Sequence, residues 1–132
     1  MPTSTLNPYY DATHQGAFSL VTSSDKGALW LTSSRPLACP SSMEIIRKLT
    51  PPNSLANDHI IVRLVDTEQN ATTAKLATFS ATLDISIPKD QSVCTSTVQK
   101  IMLAYLASML NDSAVMGATS VNRTALLEGR LL

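Results

Sequence analysis

Few side chains in this sequence could do chemistry, and they are scattered. There are two histidines, His14 and His59, two cysteines, Cys39 and Cys94, and four glycines in 132 residues. A general base needs an orienting partner on its own side of the chain. His59 directly follows Asp58, and strand neighbours point to opposite faces, so the two cannot form such a pair. His14 falls in an expected loop. No metal-ligand spacing joins the histidines to the cysteines, no glycine-rich loop could cradle a phosphate, and no G-x-S-x-G is present. Asp84 and Glu44 can share a sheet face as a carboxylate pair, although cross-strand balance with Lys48 or Arg63 is the simpler expectation. The sequence therefore predicts no catalytic residue, metal, cofactor or small-molecule substrate, and not an enzyme.

The other chemistry on offer is hydrogen bonding by hydroxyls. Residues 75–88, KLATFSATLDISIP, alternate almost without error. Leu76, Phe79, Ala81, Leu83, Ile85 and Ile87 are expected on a buried side of one long strand, with Thr78, Ser80, Thr82, Asp84 and Ser86 opposite. HIIVRLV (59–65) is a second strand, with Ile60, Val62 and Leu64 on one face and His59, Ile61, Arg63 and Val65 on the other. Arg63, and either Arg47 or Lys48, can project beside the hydroxyls; the alternation of MEIIRKLT (43–50) does not settle which of the two faces out. Hydroxyls flanked by cations suit phosphates and base edges. On chemistry alone, solvent is the simpler occupant of such a face.

The elements that position these residues change character along the chain. Residues 1–16 read as an extended arm or a loosely docked strand. AFSLVT (17–22) and ALWLTS (28–33) form a hairpin around SSDKG, where Gly27 supplies a positive φ. Strands follow at 43–50, 59–65 and 75–88, with a polar connection at 66–74 that is longer than a hairpin needs. After Pro88 the period becomes helical. Ser96 and Gln99 have capping-box spacing, Val98, Ile101, Met102, Tyr105 and Met109 recur at helical intervals over about 97–111, and a shorter helix is expected at about 120–130. The expected fold is a single α+β domain, an N-terminal hairpin (17–34) and antiparallel sheet (43–88) followed by two C-terminal helices (97–131).

Composition bounds the partners. The chain is 44% hydrophobic, with ten basic and ten acidic residues, so no global field draws nucleic acid or membrane. The N-terminus has no export pattern, and no apolar run approaches a membrane span. Both cysteines are expected as small buried or half-buried residues without a disulfide. From Ile101 to Leu110 only Ser108 is polar, and Leu103 and Leu106 fall outside the narrowest apolar stripe. A helix this apolar needs cover from several directions. A second copy of the chain, in an obligate homodimer with interlocked helices, is the expected source; the alternative is cover by the second helix and the arm.

This order of elements resembles the coat proteins of single-stranded RNA bacteriophages, the leviviruses. ALWLTSS (28–34) is similar to their tryptophan-bearing strand, HIIVRLV and ATFSATLDISIP to their last two strands, and CTSTVQKIMLAYLASML (94–110) to their first helix, over about residues 17–132. The resemblance implies a homodimer that joins two sheets, helices packed across the partner's sheet, and assembly into an icosahedral shell. It implies a place in the virion, synthesis in a bacterial cytoplasm, genomic RNA on the inner sheet face, and translational repression through an RNA hairpin.

By position, Ser80, Thr82 and Asp84 match RNA-facing residues and Arg63 a basic residue of the preceding strand, with Arg47 or Lys48, His59 and Thr78 beside them. Val98, Ile101, Met102, Tyr105, Leu106 and Met109 become the dimer interface. Residues 67–74, among them Thr67, Glu68, Gln69, Asn70, Ala71, Thr72 and Thr73, match the loop that meets its equivalents around the shell's axes. That loop lacks the cysteines of some relatives, so no disulfide ring passes through it, and Ser80 stands near the place of an RNA-stacking aromatic. The competing expectation is a small homodimeric β-sheet module that binds RNA or another ligand and forms no shell.

Overall fold

The computed structural model describes residues 4–8, 17–32, 39–110 and 127. Their contacts divide the chain into two units, Met1–Lys89 and Asp90–Leu132. The first is a six-stranded antiparallel meander in the order β1-β2-β3-β4-β5-β6. Its strands are β1 (Thr5–Leu6), β2 (Phe18–Ser24), β3 (Gly27–Thr32), β4 (Ser41–Lys48), β5 (Asp58–Gln69) and β6 (Leu76–Ile87). The second unit contains α1, Ser96–Met109.

The arm docks on the sheet over two residues: Thr5 pairs with Ser19 and Leu6 with Phe18. The predicted hairpin is present, and its ladder slips once, between Leu20 and Thr22. Gly27 has the expected positive φ, at +155°. A stronger demand comes from the next strand, because a Cβ at Gly27 would stand 2.1 Å from the Ile45 carbonyl oxygen.

β4 begins two residues before the predicted start and ends at Lys48, releasing Leu49 and Thr50. Asp58 explains the release. Its Oδ1 accepts from the Thr50 N–H at 2.8 Å and from the Thr50 hydroxyl at 2.9 Å. Lys89 reaches the same corner, donating to the Thr50 carbonyl at 3.0 Å, with its Nζ 3.9 Å from Asp58. The backbone and hydroxyl bonds from Thr50, more than the Lys89 charge, hold the Asp58 carboxyl below the ordinary carboxylate value of 3.8. A depressed folded pKa gives stability that is present above 3.8 and lost as the pH falls through the lower folded value. The urea midpoint of the wild type is therefore expected to fall over that acid window more steeply than that of Asp58→Asn. Parallel profiles would remove this role for Asp58.

The connection expected at 66–74 is strand over its first four residues. β5 continues to Gln69, its last four residues pairing with Phe79, Thr78, Ala77 and Leu76. Asp and Glu disfavour strands intrinsically, but a partner strand of matching length overrides that preference. What remains is a short self-bonded turn. Asn70 Oδ1 accepts the N–H groups of Thr72 and Thr73, both at 2.8 Å. The Asn70 backbone bonds Lys75 and Ala74, and Ala74 takes φ +58°.

The unbroken β5–β6 register also corrects one facing: Leu76 lies with Thr78 and Ser80, not with Phe79. A one-residue difference in parity moves a side chain to the other face.

In α1 the cap is Thr95 and not Ser96, its hydroxyl accepting from the Val98 N–H at 3.4 Å. Gln99 does not close the predicted box. Its side-chain amide donates to the Cys94 carbonyl at 3.0 Å. Apart from Leu127, the second helix expected at 120–130 lies outside the described residues.

Among the described residues, only Phe18, Trp30 and Cys39 are buried hydrophobics. They mark one end of the sheet. The expected buried side of β6 is open toward the turn, where Phe79 is 56% exposed and Leu64 on β5 is also exposed, and half-buried at Leu83, Ile85 and Ile87. Cys39 and Cys94 are free thiols, buried and half-buried respectively.

Candidate nucleic-acid interface

Register sorts the sheet into two unlike faces, because residues opposite one another in an antiparallel ladder share a face. On one side the rows run Trp30–Met43–Leu64–Ala81, Ala28–Ile45–Val62–Leu83 and Arg47–Ile60–Ile85. These rows are apolar apart from Arg47, and the same side carries Asp58 at one end and Asp66 and Glu68 at the other.

The other side carries Lys48–His59–Ser86, Ile46–Ile61–Asp84, Leu29–Glu44–Arg63–Thr82 and Leu31–Ser42–Val65–Ser80, then Thr67–Thr78. Lys48, His59, Arg63, Thr78, Ser80, Thr82 and Asp84 are thus brought together as expected. The choice left open between Arg47 and Lys48 falls to Lys48. Arg47 points to the apolar side, where its guanidinium donates to the Asp25 carbonyl at 3.4 Å.

Charges on the polar face are paired across strands. Arg63 Nη1 lies 3.8 Å from Glu44 Oε2, as direct opposition on β4 and β5 allows. His59 Nδ1 lies 2.7 Å from Asp84 Oδ1 on a diagonal between β5 and β6. Sequence reasoning excluded Asp58 as the partner of His59 but did not find Asp84. The signal was available: the two residues share face parity on consecutive strands, and only the register was missing. Toward the turn the face is uncharged, and the Thr67 and Thr78 hydroxyls meet at 3.2 Å. Next to Glu44, a hollow of about 350 Å³ is lined by Thr22, Ser24, Lys26, Gly27, Leu29 and Ile46 among others.

A two-layer recognition chemistry follows. Arg63 and Lys48 can neutralise phosphates, while the hydroxyls of Thr78, Ser80, Thr82 and Ser86 can donate to or accept from sugars and base edges. Among the described residues no group of three or more His, Cys, Asp or Glu could hold a metal ion, and no helix is long and apolar enough to cross a membrane. Of the residues matched to the axis loop, Thr67, Glu68 and Gln69 are strand, and Asn70, Ala71, Thr72 and Thr73 form the turn.

The residues proposed for the dimer interface lie on α1. Val98, Ile101, Met102 and Tyr105 form one exposed stripe, and Leu103, Leu106 and Leu110 a second. At 100° per residue the two stripes together span roughly 200° of the helix, about twice what one flat contact covers.

No protein-family model matches this sequence, and no curated protein does. Solved structures do. The bacteriophage EMS014 coat protein is 12% identical with a TM-score of 0.74, over 100% of this chain and 99% of that one. The virus-like particle of Beihai levi-like virus 21 gives 10% identity and 0.69, over 100% and 98%. The virus-like particle of bacteriophage ESE020 gives 10% and 0.67, over 99% of each chain. The fold is therefore that of levi-like phage coat proteins, and the resemblance read from the order of elements holds in three dimensions.

Proposed function

We propose that this chain is a capsid protein of a levi-like RNA phage. It dimerises through its apolar surfaces, assembles into an icosahedral shell and holds single-stranded RNA on the polar sheet face. The observation that carries this reading is the fold it shares, end to end, with a phage coat protein at a TM-score of 0.74.

Two features of the chain support it. Among the described residues, Leu64 and Phe79 on the sheet and both stripes of α1 are exposed, which suits a second copy whose helices lie across the sheet. β6 is a sheet edge twelve residues long, and such an edge invites a second strand. Pairing two β6 edges would place two polar faces side by side as one RNA-binding surface. Repression through an RNA hairpin would use that surface.

Size-exclusion chromatography of protein made in bacteria, recorded at two ultraviolet wavelengths, tests the proposal. Uniform spheres in the void volume, rich in nucleic-acid absorbance, are expected. A dimer-sized peak free of nucleic acid would favour a binding module that forms no shell.

The role of Arg63 has its own test. Arg63→Ala is expected to leave the dimer folded, since the side chain is about half exposed and its ion pair with Glu44 lies on the surface. It should lower packaged RNA and reduce the salt slope of binding by about 0.7 per chain. Unchanged RNA content would remove Arg63 from the interface.

A further inference from the structure

The polar face has an unusual charge balance. Its strand positions among the described residues carry two fixed cations, Lys48 and Arg63, and two carboxylates, Glu44 and Asp84. These cancel. The remaining ionisable group at these positions is His59, with its Nδ1 2.7 Å from Asp84 Oδ1.

We propose that His59 sets the sign of this face, so that single-stranded RNA is held more tightly as the pH falls through the range in which an imidazole gains its proton. The inference rests on the RNA-binding reading of the face and names its regulation.

The geometry gives the mechanism. Asp84 Oδ1, 2.7 Å from His59 Nδ1, can only accept while it is ionised, so Nδ1 carries the hydrogen. In the neutral ring Nε2 then bears a lone pair, which repels a phosphate oxygen. Protonation turns Nε2 into an N–H donor and offsets the Asp84 charge, without breaking the bond that orients the ring. Lys48 stands opposite on β4, and Ser86 opposite on β6, with its hydroxyl accepting from Asn57 at 2.9 Å. Arg63 follows on β5, already paired with Glu44. Asp58 precedes His59 but points to the far face, held by Thr50.

The test is a titration of full-length protein, kept below its assembly concentration, with a tetramethylrhodamine-labelled oligouridylate at constant ionic strength. Uracil does not titrate in the range used, so proton effects belong to the protein. Wild type is expected to bind about tenfold tighter at about pH 5.5 than at about pH 8, with a steeper salt slope at the lower pH. His59→Gln should bind weakly and alike at both values. His59→Arg should bind tightly and alike at both, which shows that the variants fold and that charge is the cause. The same comparison separates His59 from His14. Binding by wild type that is independent of pH would overturn this inference and leave the RNA reading standing. A profile retained in His59→Gln would also overturn it. Absence of binding at every pH and salt would overturn both.

Discussion

Gly27→Ala is expected to cost the fold about 3 kcal/mol or more, because the added methyl has nowhere to go. Its Cβ would stand 2.1 Å from the Ile45 carbonyl oxygen and 3.2 Å from both the Ile45 carbonyl carbon and Ile46 Cα. These are backbone atoms of β4, engaged in the ladders to β3 and β5, so no flexible side chain can move aside. The φ of +155° adds strain for any L side chain. Relief would require β3 to separate from β4 at the place where the Arg47 N–H bonds the Lys26 carbonyl at 2.7 Å. Urea denaturation of the variant should show a lower midpoint with an unchanged slope. Ala28→Val, one residue along on the apolar face, should change far less. A Gly27→Ala midpoint within error of wild type would mean that the strands are not packed this closely.

What made Gly27 necessary shows where sequence reading stops. The SSDKG turn announced a hairpin and a glycine with positive φ, which is local information. The clash with Ile45 depends on how β4 docks against β3, and nothing within the turn encodes that. The same division runs through the molecule. Alternation in HIIVRLV and ATFSATLDISIP placed Arg63, Thr82 and Asp84 on the polar face, because period two is a property of one strand. Which side Arg47 takes, and which carboxylate His59 meets, are properties of register between strands.

Composition misled where it was trusted over pairing. DTEQ reads as loop because acidic and amide residues disfavour strands, yet it completes twelve paired residues opposite β6. The helix cap slipped by one residue for a similar reason. Thr95 and Ser96 both have the right side chain, and backbone geometry selects Thr95, whose φ of −70° and ψ of 160° are extended. The apolar excess of α1 was legible from the start, since it needs only helical spacing.

That excess yields the other large effect. Leu106→Asp is expected to abolish soluble dimer and particles, because it places an uncompensated charge in a surface that the proposed assembly buries, at a cost of about 3–5 kcal/mol. Leu106 belongs to the second stripe of α1, with Leu103 and Leu110, and is exposed when the chain stands alone. In an isolated chain, a charge at such a position would meet water and cost little. The size of the effect therefore measures what covers the helix. Lys100→Asp, on the opposite side of α1 from both stripes and exposed, serves as the control, expected to leave the assembly intact. Ile101→Asp tests the first stripe separately: loss of dimer in both Ile101→Asp and Leu106→Asp would mean that α1 is gripped from two directions, as interlocking requires. An unchanged dimer and unchanged particles from Leu106→Asp would instead mean that no second copy covers this stripe, and the interlocked arrangement would fall.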